Sequence, residues 1–224
     1  MKLSSRTRLI VLFVVANVVI LTVGSMLILN RPLRLPQIEG VFLPTAKSLP
    51  SFELTDQHGQ SFSNKHLVGR WHIVSYGFTS CPDICPTLLA DLNVVATTLP
   101  KEERPRFVFY SVDHRRDTPL QLASYLDFFN PDFIGLTRLN DEGDDYRAFE
   151  EGLGIVAQLG DGSEEVGSDY QVSHGVNLFL LNPAGKLQAV FRPGDDSPRG
   201  PAFDPATLMR DYRAVRRYHE DRQG

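Results

Sequence analysis

Residues 9–29, LIVLFVVANVVILTVGSMLIL, form an uncharged, almost wholly apolar run that constrains this chain more than any other feature. As a helix the run is about 30 Å long, which matches the hydrocarbon core of a bilayer. A cleaved secretory signal usually has a shorter apolar region followed by an A-x-A-like site, and this run departs from both expectations. We therefore predict an uncleaved transmembrane anchor over 9–29.

The charges before the run predict its orientation in the membrane. Lys2, Arg6 and Arg8 precede it, and the positive-inside tendency places such a basic segment in the cytoplasm. We predict a cytoplasmic N-terminus over 1–8 and export of everything that follows the anchor. Because no transit peptide precedes the anchor, a bacterial inner (cytoplasmic) membrane, crossed once, with the C-terminal domain in the periplasm is favoured over a mitochondrial membrane.

Charge also limits the class of partner. The chain has 23 Lys and Arg against 27 Asp and Glu, for a net charge of -4. No acidic residue precedes residue 35, so the exported part is more acidic than the whole chain. An acidic surface repels phosphate backbones, and this argues against nucleic acid as a partner.

An alternation of strand and helix patterns follows the anchor. Prolines without a regular period predict an extended linker over 30–48, and we predict one domain over 49–224. Within it the patterns predict a hairpin, three strands alternating with three helices, a second hairpin and a last helix, at 49–62, 71–77, 86–99, 106–112, 118–129, 133–139, 141–153, 176–191 and 205–218. Such alternation implies parallel strands with crossover helices. We predict an α/β fold of the thioredoxin-like type, a mixed sheet flanked by helices with an N-terminal hairpin extension.

In an open sheet of this kind, the functional crevice lies at the carboxyl ends of the parallel strands. Cys81 follows the first parallel strand and Asp113 follows the second. His174 precedes an antiparallel strand, which would start at the same edge of the sheet. The predicted topology therefore brings these three residues towards one another.

The two cysteines of the chain, Cys81 and Cys85, are the strongest chemical signal. A disulfide between them would close a very small loop and add little stability, so a redox or metal role is the better interpretation. Pro86 predicts that a helix starts here, which places both sulfurs on one face of its first turn. We expect the helix N-terminus to lower the pKa of the thiols. Thiolates with imidazole suit copper or zinc.

A metal held by two cysteines needs at least one more ligand. Methionine is nearly excluded, because Met209 is the one methionine outside the first 26 residues and lies in the last predicted helix. A histidine is therefore expected, with a carboxylate or water as a fourth ligand. His114 and His174 are both predicted near the crevice; the other four histidines fit ordinary surface or packing roles. The place of His174 before a strongly apolar strand favours it, and the residues alone leave both open.

The loop from Asp113 to Asp117 opens a predicted helix. The simplest interpretation makes Asp117 or Thr118 the N-cap of that helix. The alternative is that Asp113 shapes the outer shell of the site or a partner surface.

Three segments of the chain resemble the Sco/SenC family of thioredoxin-like copper chaperones for cytochrome c oxidase assembly. They are GFTSCPDICP from Gly77, SVDHRRDTP from Ser111, and YQVSH, which ends at His174 and is followed by an apolar strand and NPAG. The resemblance covers about residues 49–220. Three residues depart from the family pattern without removing a ligand, namely Ser80, His114 and Ser173, where histidine, proline and aspartate are usual.

The resemblance implies a site and partners. It makes Cys81, Cys85 and His174 the ligands of Cu(I) and Cu(II). Independently of the resemblance, the positions of Asp83, Asp113 and Asp117 near the crevice make them candidates for the surrounding shell. The resemblance implies delivery of copper to the binuclear centre of cytochrome c oxidase subunit II or another copper enzyme, or reduction of that centre's cysteines. Other copper chaperones and thioredoxin-like reductants are further implied partners. A metallochaperone is thereby favoured over an enzyme.

Three rival functions use the same residues. A membrane-anchored thiol–disulfide oxidoreductase would use Cys81 and Cys85 as a redox pair, although such enzymes typically have two residues between their cysteines and this chain has three. A thiol peroxidase would need one activated cysteine and would consume peroxide rapidly. A tethered interaction domain with an inert disulfide would show neither metal binding nor redox cycling.

Overall fold

The computed structural model describes residues 5–29, 34–138, 145–159, 172–194 and 202–222, with the side chains of 27–29, 145, 158–159 and 172–174 left outside that description. The chain divides into two compact units, Met1–Arg34 and Leu35–Gly224. The first contains one helix, α1 (Ser5–Leu29). Its segment Ser5–Met26 is long and apolar enough to cross a bilayer, with a mean hydropathy of 2.6. This helix fits a membrane anchor.

The second unit contains an α/β arrangement. Its strands are β1 (Gly40–Lys47), β2 (Glu53–Asp56), β3 (Ser61–Ser63), β4 (His72–Gly77), β5 (Arg106–Ser111), β6 (Ile134–Thr137), β7 (Ala157–Leu159), β8 (Val172–His174), β9 (Leu178–Leu181) and β10 (Leu187–Phe191). Its α-helices are α2 (Ile84–Thr98), α3 (Pro119–Asp127), α4 (Asp145–Leu153) and α5 (Pro205–Asp221). A short 3-10 helix covers Asn64–Leu67.

Eight of these strands form one mixed sheet in the order β1-β10-β9-β4-β5-β6-β2-β3. The central strands β4, β5 and β6 are parallel, and α2 and α3 are the crossovers between them. Strand β9 lies antiparallel to β4, and the β2–β3 hairpin extends the sheet beyond β6. The predicted thioredoxin-like fold with an N-terminal hairpin extension is confirmed.

Apolar side chains pack against both faces of the sheet, so β4 and β5 are buried on both sides. Successive side chains of each strand point to opposite faces. Ile73 and Phe107 pack with the apolar residues of α2, α3 and α5. Val74 and Val108 face the other way, in a cluster that includes Phe149 of α4. The carboxyl ends of the parallel strands therefore sit on a rigid platform.

Local sequence determines where the helices next to this platform begin. The Thr118 side chain accepts a hydrogen bond from the backbone N–H of Gln121 at 3.3 Å, and Pro119 occupies the first turn of α3. In α5 the Asp204 carboxylate accepts from the backbone N–H of Thr207 at 2.8 Å. Caps of this kind contribute about 1 kcal/mol each.

The region predicted as a linker over 30–48 contains a strand. Its second half forms β1, which pairs antiparallel with β10, with Val41 opposite Val190. The register shifts between Phe42 and Lys47, around Pro44, which cannot donate to the ladder. An edge strand interrupted by proline lacks the alternation that predicts strands, so only its partner reveals it. The β7–β8 ribbon was not predicted either, and 160–171 between its strands lies outside the described residues.

A buried histidine at the start of β4 gives the domain an expected pH dependence. The His72 side chain is 1% exposed, and its Nδ1 lies 3.1 Å from the Arg70 carbonyl oxygen. Its Nε2 has no hydrogen-bond partner among the described residues. Burial, reinforced by the charges of Arg106 and Arg70, lowers the pKa of His72 from 6.5 to about 4. The folded state thus keeps this ring neutral at pH values where the unfolded chain protonates it.

We expect His72 to make the protein less stable as the pH falls from 6.5 to 4. In that window the unfolded state binds one more proton at this residue, which lowers the free energy of unfolding by about 1.4 kcal/mol per pH unit. The variant His72→Leu should lose this share of the slope. Urea unfolding of the full chain in detergent micelles at several pH values measures it. Equal slopes in the two proteins would contradict the assignment.

Candidate metal centre

The two cysteines lie at the carboxyl end of β4, where the chain turns into α2. The Cys81 N–H donates to the Phe78 carbonyl at 3.2 Å, which closes a turn directly after the strand. Cys85 is in the first turn of α2 and is buried, whereas Cys81 is partly exposed. The two side chains are hydrogen-bonded to each other and do not form a disulfide. The structure therefore brings two soft sulfur donors side by side at the edge of the crevice.

The expectation that the helix start lowers the pKa of both thiols is wrong for Cys85. The hydrogen bond with Cys81 and then burial raise the pKa of Cys85 well above its usual value. A hydrogen bond with the Phe78 backbone acts in the opposite direction but is outweighed. Both pKa-raising effects follow from the position of Cys85, which is buried in the first turn of α2 beside Cys81. A soft metal that binds this pair must displace the proton.

Gly77, the last residue of β4, packs directly against the buried thiol of Cys85. A Cβ atom at this position would lie 2.5 Å from the Cys85 Sγ and 3.2 Å from the Cε2 of Phe109. No side chain fits there without moving the sulfur. The glycine that ends β4 therefore allows α2 to bring Cys85 close to the sheet.

Asp117 ties the cysteine loop to the neighbouring strand. Its carboxylate is fully buried and accepts hydrogen bonds from the Thr79 N–H at 2.9 Å, the Thr79 hydroxyl at 2.6 Å and the Ser111 hydroxyl at 2.6 Å. Burial raises the pKa of Asp117 although these bonds lower it. Thr118, not Asp117, is the N-cap of α3. Asp117 therefore shapes the loop that carries Cys81.

The other two carboxylates proposed for the surrounding shell differ in their placement. Asp113 is fully buried at the end of β5, and its Oδ2 accepts a hydrogen bond from Arg116 Nε at 2.5 Å. Its charge is therefore balanced within the loop. Asp83 is exposed at the N-cap of α2 and makes no side-chain capping bond there.

The two candidate histidines are in contrasting positions. His114 Nε2 lies 2.5 Å from Arg138 Nη2, and burial together with the Arg138 charge lowers the pKa of His114 to about 4. This contact occupies the Nε2 atom. His174 ends β8, opposite Ala157, and residues 175–177 separate it from β9, which lies antiparallel to β4. The His174 side chain lies outside the described residues, and among the described side chains no group of three His, Cys, Asp or Glu is placed to hold a metal.

Tyr125 of α3 also lies near the sulfurs. The Tyr125 hydroxyl is buried and has no hydrogen-bond partner among the described residues. Its ring packs against Phe109, with 6.0 Å between centroids. Burial raises the pKa of Tyr125, and Cys85 and Cys81 would raise it further as thiolates. Nothing in the helical pattern distinguished this residue from its apolar neighbours.

Comparison with known proteins adds to this geometry. A protein-family model described as SCO1/SenC matches residues 43–202. The chain is 39% identical over 168 residues to a protein of Stutzerimonas stutzeri named as copper-binding, which covers 74% of this chain and 79% of that protein. It is 34% identical over 170 residues to the mitochondrial SCO1 homologue of Homo sapiens, covering 72% of this chain and 53% of that protein.

A solved structure is similar to this chain in its overall fold. Yeast Sco1 with copper bound superposes with a TM-score of 0.62 and 27% sequence identity, over 80% of this chain and 90% of that one. The matched family region includes both cysteines, Asp113, Asp117 and His174. The resemblance noted in three short segments thus extends over most of the unit Leu35–Gly224.

Proposed function

Because the chain belongs to the SCO1/SenC family, whose members are copper-binding proteins in cytochrome c oxidase assembly, we propose that it is a copper chaperone with Cys81, Cys85 and His174 as its ligands. The observation that carries the proposal is the contact between the two thiols at the crevice edge. Two adjacent thiolates suit Cu(I), and an imidazole adds a donor that suits Cu(II). After His174, residues 175–177 lead into β9, which lies beside β4, the strand that precedes the two cysteines.

The exposure of the two thiols suits transfer of the metal. Cys81 is partly exposed and Cys85 is buried, so a partner's ligand could reach the metal on the Cys81 side and exchange with that thiolate first. We propose the binuclear copper centre of cytochrome c oxidase subunit II, or another copper enzyme, as the recipient. The apolar helix α1 would anchor the domain to a bacterial inner membrane, with 1–8 in the cytoplasm and the domain in the periplasm.

The same thiol pair supports a second candidate, a thiol–disulfide oxidoreductase. A partly exposed Cys81 beside a buried Cys85 is the arrangement of an attacking thiol and a resolving thiol. In this role the pair would reduce the cysteines of the copper centre. Metal binding by the reduced protein separates the two candidates.

The test is a Cu(I) competition titration against a coloured chelator, with the reduced full chain in detergent micelles. We expect one tightly bound equivalent in wild type and a weaker affinity, by about 10-fold or more, in His174→Ala, because losing a ligand should cost at least as much as losing an outer-shell partner. The loss should be larger for Cu(II). His58→Ala is the control, since this histidine is exposed in the turn between β2 and β3.

Each alternative outcome has a definite meaning. Unchanged affinity in His174→Ala would remove that residue from the site. No binding by fully reduced wild type would overturn the chaperone proposal and favour the oxidoreductase.

A further inference from the structure

A buried tyrosine of β4, the strand that leads to the cysteines, contacts the segment that follows His174. Tyr76 is the penultimate residue of β4 and is 3% exposed. Its ring stacks on Phe179 of β9, with 5.7 Å between centroids and an interplanar angle of 30°. Packing against a neighbouring strand fixes the direction in which the hydroxyl projects.

The Tyr76 hydroxyl contacts residues 175–177, the short connection between β8 and β9. The backbone and the side chain of Asn177 both hydrogen-bond to it, and both bonds lower the pKa of Tyr76, which burial raises. Bonds that favour the phenolate are donated by the N–H groups of Asn177 to the phenolic oxygen. Tyr76 of β4 therefore binds residue 177.

Gly175 is packed against the same atom. A Cβ on Gly175 would lie 2.7 Å from the Tyr76 hydroxyl oxygen, and its next nearest neighbour would be the Tyr76 Cζ at 3.9 Å. Gly175 does not have a positive φ, so its backbone conformation is open to other residues. The hydroxyl therefore fits closely against the residue that follows His174.

We propose that Tyr76 is a positioning residue, whose hydroxyl sets how His174 approaches the Cys81–Cys85 pair. This inference rests on the proposed function, in which His174 is a copper ligand. Residues 175–177 are the only covalent connection from His174 to the central sheet on its C-terminal side, and Tyr76 secures both ends of it. A ligand displaced by about 1 Å is a poorer ligand, because binding sites tolerate only small deviations from the productive geometry.

The effect should depend on the oxidation state of copper. Two thiolates provide most of the soft ligands that Cu(I) prefers, whereas Cu(II) binding depends more on the imidazole and its placement. A loosened His174 should therefore weaken Cu(II) much more than Cu(I). A general loss of structure at the site would weaken both alike.

The test is the variant Tyr76→Phe in the full chain in detergent micelles, with Cu(I) and Cu(II) affinities measured by competition. We expect Cu(II) affinity to fall by about 10- to 100-fold, as when an outer-shell partner is lost, with Cu(I) affinity changed by less than about 3-fold. The Cu(II) paramagnetic resonance spectrum should shift as well. Tyr212→Phe is the matched control, because it removes a buried hydroxyl that bonds the Glu103 carbonyl instead.

A second pair of variants tests the contact itself. Gly175→Ala should weaken Cu(II) binding, since its methyl group would collide with the Tyr76 hydroxyl. In the double variant Tyr76→Phe with Gly175→Ala that collision is absent, so Cu(II) affinity should be no lower than in Tyr76→Phe alone. In the copper-free protein, amide hydrogen exchange at Gly175 and Asn177 should be faster in Tyr76→Phe than in wild type.

The outcomes separate this inference from the proposed function. Failure of wild type to bind copper overturns the proposed function. A wild type that binds copper, with Tyr76→Phe unchanged in Cu(II) affinity, spectrum and exchange, overturns only the role of Tyr76. Equal losses for Cu(I) and Cu(II) in Tyr76→Phe also overturn it.

Discussion

Tight copper binding should be abolished when either Cys81 or Cys85 is replaced by alanine. Each substitution removes one of two adjacent sulfur donors, and a single thiolate with one imidazole leaves Cu(I) without its preferred soft ligand pair. The loss should exceed the roughly 10- to 100-fold that removal of an outer-shell partner costs. It is therefore the largest functional effect that we expect from any single change in this chain.

The same Cu(I) competition titration measures this effect, with Ser80→Ala as the control. Ser80 is exposed and adjacent to Cys81, so this variant alters the loop without removing a donor. Cys85 is 1% exposed, and Cys85→Ser replaces it with a group of similar size to limit any cavity. Circular dichroism of each variant checks the fold. A cysteine variant that is folded and retains wild-type affinity would contradict the two-thiolate site.

The second large effect is expected for Asp117→Ala, which should destabilise the domain by about 2–4 kcal/mol. The truncation removes the acceptor of three hydrogen bonds, from the Thr79 N–H, the Thr79 hydroxyl and the Ser111 hydroxyl. Ser111 is 1% exposed, so water cannot readily replace the lost partner. A buried donor left without a partner costs about 1–3 kcal/mol.

Urea unfolding of the full chain in detergent micelles measures this loss, and Asp117→Asn is the matched comparison. An amide oxygen can still accept from part of the set, so the loss should be smaller than in the alanine variant. Copper affinity should also decrease in Asp117→Ala, because Thr79 belongs to the loop that carries Cys81. A stability of Asp117→Ala within about 0.5 kcal/mol of wild type, the range of ordinary surface substitutions, would contradict this role.

Much of the fold was predictable because its signals are local. Strand β4 reads as an unbroken buried run, α2 has leucines at helical spacing, and Thr118-Pro119 marks the start of α3. The order of these elements then predicts parallel strands and a crevice at their carboxyl ends. The edge strand β1 escaped prediction because proline interrupts it and its pairing partner, β10, is distant in sequence.

The candidate site divides in the same way. The sequence alone identified the cysteine pair and its place between a strand and a helix, because residue type and spacing are written in the chain. It left Asp117 as a possible helix cap and assigned both thiols a lowered pKa. Only the tertiary structure showed the Asp117 carboxylate bonded to the cysteine loop and the pKa of Cys85 raised by its neighbour and by burial.

By itself, then, the sequence determined the apolar N-terminal segment, the order of the elements and the soft donors. The tertiary structure decided which buried polar groups meet, including the contact of Tyr76 with Gly175 and Asn177. The physical reason is the separation along the chain over which each kind of interaction acts. Hydrophobic period, capping and turn formation act within a few residues along the chain, whereas burial and hydrogen bonding between Tyr76 and the segment after His174 exist only after the sheet has brought distant strands together.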